Sequence, residues 1–226
     1  MLERAQRSSH FMLHGPRATN TMNQKNPYKK ADKFTEAAKK AGYPARSVFK
    51  LEEIDRRTRI LRKGQHVVDL GAAPGSWSKY VAEKIGERGK LLAIDRQELR
   101  TALPAWARFV MADCFALDGA HYTEFGPFDV VLSDMAPNTT GNRFTDQTRS
   151  TELFLHALEV AKVHGAPGSS FVGKIFMGED FPAARAEVRK LYEQERLIRP
   201  EGTRQVSYEI FVIGLRKRVV DAVEPG

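Results

Sequence analysis

The chain has 226 residues, 42% of them apolar, and a formal net charge of +8 at pH 7. This length allows one substantial core, so we expect a single domain with an extension. No apolar stretch reaches membrane-spanning length, and the N-terminal sequence lacks the continuous apolar segment of a secretory signal. We therefore expect no membrane contact and a cytoplasmic location, or a mitochondrial one in a eukaryote. The lone cysteine, Cys114, excludes an internal disulfide framework, and the six histidines lack metal-ligand spacing, so no metal site is predicted.

The positive charge is concentrated near the N-terminus. Residues 1–63 contain 16 Lys and Arg against 6 Asp and Glu, whereas residues 64–226 contain 20 against 22. A basic extension on a nearly neutral domain is typical of a protein that binds a nucleic-acid phosphate backbone. The alternative is a solvated tail that only improves solubility. Lysines that recur with aromatic residues in "NPYKKADKF" favour nucleic-acid binding, and the candidate contacts are Lys29, Lys30, Lys39, Lys40 and Arg46.

Changes in composition divide the chain into four segments. We expect a disordered basic tail over residues 1–24, a basic helical extension over 25–63, the main domain over 64–218 and a C-terminal tail over 219–226. Within the extension, Pro44 suits the first turn of a helix. The apolar face of that helix is formed by Val48, Phe49, Ile54 and Leu61.

From residue 66 onward, short apolar runs alternate with helical segments. The strand candidates, in chain order, are "HVVDLG", "KLLAID", "ARFVMAD", "FDVVLSD", "SSFVGKIF" and "YEIFVIGL". Helices are predicted near 76–85, 149–164 and 182–194. This alternation predicts an α/β fold with a doubly wound, mostly parallel sheet and helices on both faces. Ligands of such sheets bind beyond the carboxyl ends of the strands.

The first strand candidate runs into the loop "DLGAAPGSW". Its Gly71 and Gly75 permit close backbone approach to a ligand at the N-terminus of the next helix. Asp95, which ends the second strand, is placed to accept hydrogen bonds from ribose hydroxyls, so a nucleoside-containing cofactor is predicted. Because Ala73 replaces the second glycine of a dinucleotide fingerprint, the loop favours S-adenosylmethionine, with Asp113 near the adenine. The alternative is an ordinary tight turn with helix caps.

Five motifs follow one another along the chain: "RSVFKLEEI", "DLGAAPGSW", "SDMAPN", "FVGKIF" and "SYEIFVIG". With them, the chain resembles the RrmJ/FtsJ family of RNA ribose 2′-O-methyltransferases over roughly residues 43–217. The resemblance implies a seven-stranded Rossmann-like domain over 64–218 that uses S-adenosylmethionine to methylate a ribose in RNA. "DMAPN" followed by "TTG" is more similar to the branch that methylates a uridine of large-subunit ribosomal RNA than to the transfer-RNA branch. The implied partner is ribosomal RNA or the large ribosomal subunit, and we expect a monomer.

Two other functions stay open. One is a 2′-O-methyltransferase that acts on transfer RNA or on the messenger-RNA cap. The other is a non-enzymatic ribosome-assembly factor that keeps the fold and binds RNA. The motifs argue against the second function, because pure binding does not require two lysines and two carboxylates at converging strand ends.

The resemblance also assigns site residues. A catalytic tetrad falls on Lys50, Asp134, Lys174 and Glu209. One departure is Ser76, where the family usually has glycine; its side chain would lie beside the methionine part of the cofactor or cap the following helix. The family's cofactor contacts fall on Gly75, Trp77, Asp95, Asp113 and Asp134.

Lys174 interrupts an apolar run that otherwise predicts a buried strand. Burying an ammonium without a partner is costly, so the lysine either reaches solvent or serves a site. Burial and the positive charge of Lys50 favour a neutral amine that can take a ribose proton, whereas Asp134 and Glu209 favour the charged form. General base and orienting donor both remain open. Taken singly, each tetrad residue also has a structural explanation, and Trp77 is equally explained by packing.

Overall fold

The computed structural model describes residues 27–201, 203 and 207–219, with side chains described from residue 33 onward. The predicted N-terminal tail lies outside the described residues, as does most of the predicted C-terminal tail. The boundary between extension and main domain stays a prediction. In chain order the elements are α1 (Pro27–Lys40), α2 (Val48–Thr58), β1 (His66–Leu70), α3 (Ser76–Ile85), β2 (Lys90–Asp95), β3 (Ala107–Met111), α4 (Gly119–Phe125), β4 (Phe128–Ser133), α5 (Arg143–His164), β5 (Gly165–Phe176), α6 (Phe181–Leu191), β6 (Tyr192–Ile198) and β7 (Glu209–Lys217).

The strands form one seven-stranded sheet with the order β3-β2-β1-β4-β5-β7-β6. The first five strands in this order pair in parallel, whereas β7 runs antiparallel to both β5 and β6. The predicted seven-stranded, mostly parallel sheet is confirmed. Because β7 runs in reverse, its first residue, Glu209, lies opposite Phe176 at the end of β5. The start of β7 therefore joins the edge at which the parallel strands end.

Helices cover both faces of the sheet, and each face has its own apolar core. On one face α4, α5 and α6 pack over residues such as Phe154 and Phe171. On the other face α1, α2 and α3 pack over a second cluster that includes Leu51, Ile54 and Trp77. The helix predicted to follow Pro44 is therefore present as α2, and its apolar side is part of the core rather than a solvated extension.

The C-terminal end of the predicted helix 182–194 is wrong. α6 ends at Leu191, and β6 begins at Tyr192 and forms one edge of the sheet. Tyr192 and Ile198 are buried at the two ends of β6, but the residues between them are mostly charged or polar. Charge on an edge strand prevents pairing with other chains, and it also hides the alternation by which strands are predicted from sequence.

α5 is 22 residues long and begins at Arg143, six positions before its predicted start near residue 149. The side chain of Asn142 caps it by accepting a hydrogen bond from the backbone N–H of Thr145 at 3.1 Å. The first turns of α5 consequently lie above the carboxyl edge of the sheet. None of the described helices, α5 included, is long and apolar enough to cross a membrane.

Candidate active site

A cleft of about 670 Å³ opens at the carboxyl ends of β1, β2, β3 and β4. This volume lies within the usual range of small-molecule sites, about 300–1,000 Å³. Two predicted cofactor residues, Gly75 and Trp77, are not among the described residues that line the cleft. Four of the six predicted cofactor residues line the cleft: Gly71, Asp95, Asp113 and Asp134.

The two predicted loop glycines have positive φ, +79° for Gly71 and +104° for Gly75. A Cβ on Gly71 would lie 2.7 Å from the side chain of Met135, and one on Gly75 would lie 2.6 Å from Thr101. Both glycines are thus required by the backbone and by close protein neighbours. Gly71 in particular lets the segment after β4 approach the end of β1, which closes one side of the cleft.

Asp95 anchors the cofactor loop as well as lining the cleft. One carboxylate oxygen accepts a hydrogen bond from the backbone N–H of Ala73 at 2.9 Å, and the other accepts one from Gln97 at 2.8 Å. Asp113 is held in a similar way by the backbone N–H of Phe115 at 3.1 Å. A carboxylate oxygen can accept more than one hydrogen bond, so both groups can also bind ligand hydroxyls or amines.

Asp69 is a third acidic group that we did not predict as a site residue. Its side chain is fully buried, and one oxygen accepts a hydrogen bond from the Ser78 hydroxyl at 2.6 Å. The other oxygen has no hydrogen-bond partner among the described residues. Burial raises the pKa of Asp69 to about 7; the Ser78 hydrogen bond opposes this rise, and the carboxylates of Asp134 and Asp95 add to it. The sequence signal was a carboxylate inside the apolar run "HVVDL".

We expect Asp69 to make the protein less stable as pH rises from about 4 to 8, because the folded state retains a proton that the unfolded chain has lost until the pH passes the folded-state pKa of about 7. Between about pH 5 and pH 8 the loss should be on the order of 2 to 3 kcal/mol. Asp69→Asn removes the titrating group, so the free energy of unfolding, measured with urea, should depend less on pH. Parallel pH profiles for the variant and the wild type would contradict this assignment.

Lys174 does not reach solvent, since its side chain is 6% exposed. Its Nζ donates to the backbone carbonyl of Asp134 at 2.5 Å and to the Asp134 carboxylate at 2.8 Å. An ammonium has three N–H donors, and these contacts use two of them. The lysine at the end of β5 is therefore held by the residue that follows β4, directly beside the cleft.

Lys50 and Glu209 form the second half of the predicted tetrad. Lys50 is the third residue of α2 and forms an ion pair with Glu209 at the start of β7. Both side chains are mostly buried, with 12% and 13% exposed. The hydroxyl of Thr203 also donates to the Glu209 carboxylate at 3.2 Å. The structure thus brings together two residues that are 159 positions apart in the chain.

Phe211 connects the two pairs, although we did not predict it as a site residue. It lies directly opposite Lys174 in the β5–β7 register. The Nζ of Lys50 is 5.8 Å from the centre of its ring. Glu209, two residues earlier on β7, projects from the same face of the sheet. Lys174, Lys50 and Glu209 therefore lie around the buried ring of Phe211, and Asp134 joins them through Lys174.

Ser76 and Trp77 attach the segment before Lys50 to the cofactor loop. The Ser76 hydroxyl accepts a hydrogen bond from the N–H of Ala45 at 2.7 Å and donates to its carbonyl at 3.0 Å. The N-cap of α3 is Gly75, so the expectation that Ser76 caps this helix is wrong. The buried indole N–H of Trp77 donates to the carbonyl of Ser47 at 2.8 Å. Packing therefore explains Trp77, and its contact with a cofactor stays a prediction.

The predicted RNA contacts lie on α1 and on the loop that follows it. Lys39 and Lys40 are exposed in the last turn of α1, and Arg46 is partly buried shortly before α2. Lys29 and Lys30 belong to α1, but their side chains lie outside the described residues. We call α1 and the loop that leads to α2, residues 27–47, the basic segment. Because α2 carries Lys50 in its first turn, this segment is continuous with the tetrad.

Fold comparison supports the observed architecture. A crystal structure of a Plasmodium falciparum protein described as a ribosomal RNA methyltransferase superposes with a TM-score of 0.66; it is 21% identical and covers 77% of this chain and 98% of its own. At this identity the likeness shows the fold alone, a Rossmann-like α/β fold.

Sequence comparison gives the family. Residues 43–217 match the FtsJ-like methyltransferase family, and the chain belongs to that family. A "Ribosomal RNA large subunit methyltransferase E" from Sorangium cellulosum is 58% identical over 194 residues, which are 86% of this chain and 92% of the relative. A protein of the same name from Myxococcus xanthus is 42% identical over 201 residues, covering 88% and 94%. The resemblance inferred from the five motifs is confirmed.

Proposed function

We propose that the protein methylates a ribose 2′-hydroxyl in large-subunit ribosomal RNA, on a uridine, with S-adenosylmethionine as methyl donor. The observation that carries the proposal is the pairing of Lys174 with Asp134, and of Lys50 with Glu209, at an edge that adjoins an acidic cleft. The names of the bacterial relatives support the ribosomal substrate.

The cleft suits a positively charged nucleoside cofactor. Asp95, Asp113 and Asp134 line it, and the buried Asp69 has one carboxylate oxygen without a hydrogen-bond partner among the described residues. The three aspartates that line the cleft favour a cation, and the strand-end carboxylates can accept hydrogen bonds from ribose hydroxyls. S-adenosylmethionine, when bound, supplies a methyl group activated by a positively charged sulfur.

The tetrad handles the proton and charge of the substrate hydroxyl. This hydroxyl must lose its proton as the new oxygen–carbon bond forms. We assign the proton to the Nζ of Lys174, because this amine is buried, lies beside the cleft and is held in place by Asp134. Lys50, held by Glu209, provides positive charge near the oxygen as negative charge develops on it.

Asp95→Ala should weaken S-adenosylmethionine binding by about 1.5 to 3 kcal/mol, since it removes a charged acceptor from the cleft. Loss of its bonds to Ala73 and Gln97 would add to the effect by loosening the loop. Isothermal titration calorimetry measures the change. The control is Asp118→Ala, because Asp118 also accepts a backbone N–H, from Ala120, but at the start of α4 outside the cleft. Equal affinities for Asp95→Ala and wild type would remove Asp95 from the cofactor site.

The basic segment should bind RNA through phosphates, so RNA affinity should fall steeply as salt increases. This dependence should become flatter when alanine replaces four lysines together, Lys29, Lys30, Lys39 and Lys40. Each true contact should lower the slope by about 0.7 to 0.9. Cofactor affinity should be unchanged. The matched control replaces Lys162 and Lys190, exposed lysines on the opposite face of the sheet. An identical slope in the test variant and the wild type would mean that the four test lysines form a solvated surface that does not bind RNA.

Transfer of labelled methyl groups to separated RNA pools tests the proposed function. We expect incorporation into large-subunit ribosomal RNA, and nuclease digestion should recover the label on a ribose. Label in transfer RNA or on the cap would reassign the substrate. RNA binding without any incorporation would favour the assembly-factor alternative.

A further inference from the structure

An exposed aromatic–cation pair lies at the same edge of the sheet as the tetrad. The guanidinium carbon of Arg143, the first residue of α5, is 3.9 Å from the ring centre of Tyr208, which precedes β7. Tyr208 is 47% exposed, and the neighbouring Phe144 is 65% exposed. We infer that Arg143 and Tyr208 form a stacking platform for an unpaired RNA base that flanks the methylated nucleotide. This inference rests on the proposed function.

The position of Tyr208 follows from the start of β7. Its carbonyl accepts a hydrogen bond from the N–H of Met177 at 2.9 Å, just beyond the end of β5. Successive residues of an extended chain project to opposite sides, so Tyr208 projects away from the side on which Glu209 meets Lys50. It meets α5 there, on the opposite face from α1 and α2. The platform and the basic segment therefore flank the tetrad from opposite faces.

This arrangement suits an RNA strand that crosses the edge of the sheet. The basic segment would bind phosphates on one face, and the target ribose would meet Lys174 at the edge. The next nucleotides would then reach Tyr208 on the other face. We assign the flanking base, not the target base, to the platform because the tyrosine lies on the far side from the Lys50–Glu209 pair.

The pair has the chemistry that single-stranded RNA requires. Aromatic rings stack bases of any sequence, and a guanidinium both stacks and donates to phosphate oxygens. Because Arg143 already holds the ring, Tyr208 loses less side-chain freedom when a base binds. A role only in fixing the segment before β7 would explain the contact, but it would not require the ring and Phe144 to be exposed together.

Binding of a short, fluorescein-labelled single-stranded RNA to the full chain, followed by anisotropy, tests the platform. Tyr208→Ala should weaken binding about tenfold, within the range for loss of one stacked base, and should leave the salt slope unchanged. Tyr208→Phe should restore most of the affinity, because the ring is retained. Arg143→Ala should weaken binding and lower the salt slope by about 0.7. Val163→Ala, at the far end of α5 and 61% exposed, is the control that should bind like wild type.

Two results of the binding measurement would overturn the platform. One is wild-type RNA affinity in Tyr208→Ala; the other is equal weakening by Tyr208→Phe and Tyr208→Ala. Thermal unfolding of each variant shows whether the fold is intact, and weaker binding that matches a loss of folded protein also counts against the platform. Methyl transfer by the wild type separates the two claims. If the wild type transfers no methyl group, the proposed function fails; if it does and Tyr208→Ala has an unchanged KM for RNA, the platform alone fails.

Discussion

Lys174→Ala should lower the rate of methyl transfer by about three orders of magnitude, within the range for removal of a general base. Affinity for S-adenosylmethionine should change little, because the amine contacts only one acid of the cleft, Asp134, whereas Asp95 and Asp113 are held by backbone N–H groups. Single-turnover assays at saturating cofactor and RNA measure the rate, and calorimetry measures the affinity. Lys174→Arg distinguishes the two roles left open by the sequence, since arginine keeps the charge but cannot accept the proton. We expect it to be as inactive as alanine, and substantial activity would make Lys174 an orienting donor.

Lys217 offers a matched control for the loss of a buried lysine. It also lies in the sheet, and its Nζ donates to the carbonyls of Lys162 and Gly165, at the end of β5 opposite the tetrad. Lys217→Met should lower stability but retain the single-turnover rate. Turnover by Lys174→Ala close to that of Lys217→Met would remove Lys174 from the mechanism.

Breaking the Lys50–Glu209 pair should lower methyl transfer by about a hundredfold. Replacing Lys50 removes the positive charge, and replacing Glu209 leaves that charge misplaced. The two residues act as one unit, so the double variant Lys50→Met/Glu209→Gln should be about as slow as either single variant. A double-mutant cycle of single-turnover rates measures this coupling. Additive losses would mean that the two residues act separately.

The Arg185–Glu195 pair between α6 and β6 serves as the control for this cycle. Its two side chains form a close ion pair, with Nε and Oε1 2.7 Å apart, on elements that carry no tetrad residue. Arg185→Met and Glu195→Gln should change the free energy of unfolding without changing the rate. A similar rate loss in this cycle would show that the Lys50–Glu209 effect is structural.

The sequence predicted β1, β2 and β4 well because these strands are buried on both faces. Apolar runs such as "KLLAID" and "FDVVLSD" end in acids, and these acids line one cleft because parallel strands end at one edge. β6 was missed for the opposite reason. It is an edge strand with charged residues between Tyr192 and Ile198, so local pattern did not distinguish it from the end of α6.

The contacts that complete the site depend on distant parts of the chain. Ser76 and Ala45 are 31 positions apart, and no local pattern relates them. The tetrad residues themselves were assigned by family resemblance, while their pairing through the reversed β7 required the structure. Phe211 could have been suspected, since it lies two residues after Glu209 and therefore projects from the same face of the strand. The Asp69 oxygen that has no partner in the described part of the chain could be recognised only once its burial was known.

The measurement that tests the central claim most directly is mass-spectrometric mapping of large-subunit ribosomal RNA from cells that lack the protein. These cells are compared after complementation with the wild-type chain or with Lys174→Ala. We predict that one ribose-methylated uridine is lost without the protein, is restored by the wild type and is not restored by Lys174→Ala. An unchanged methylation pattern without the protein, a methyl group on a base rather than a ribose, or full restoration by Lys174→Ala would contradict the account.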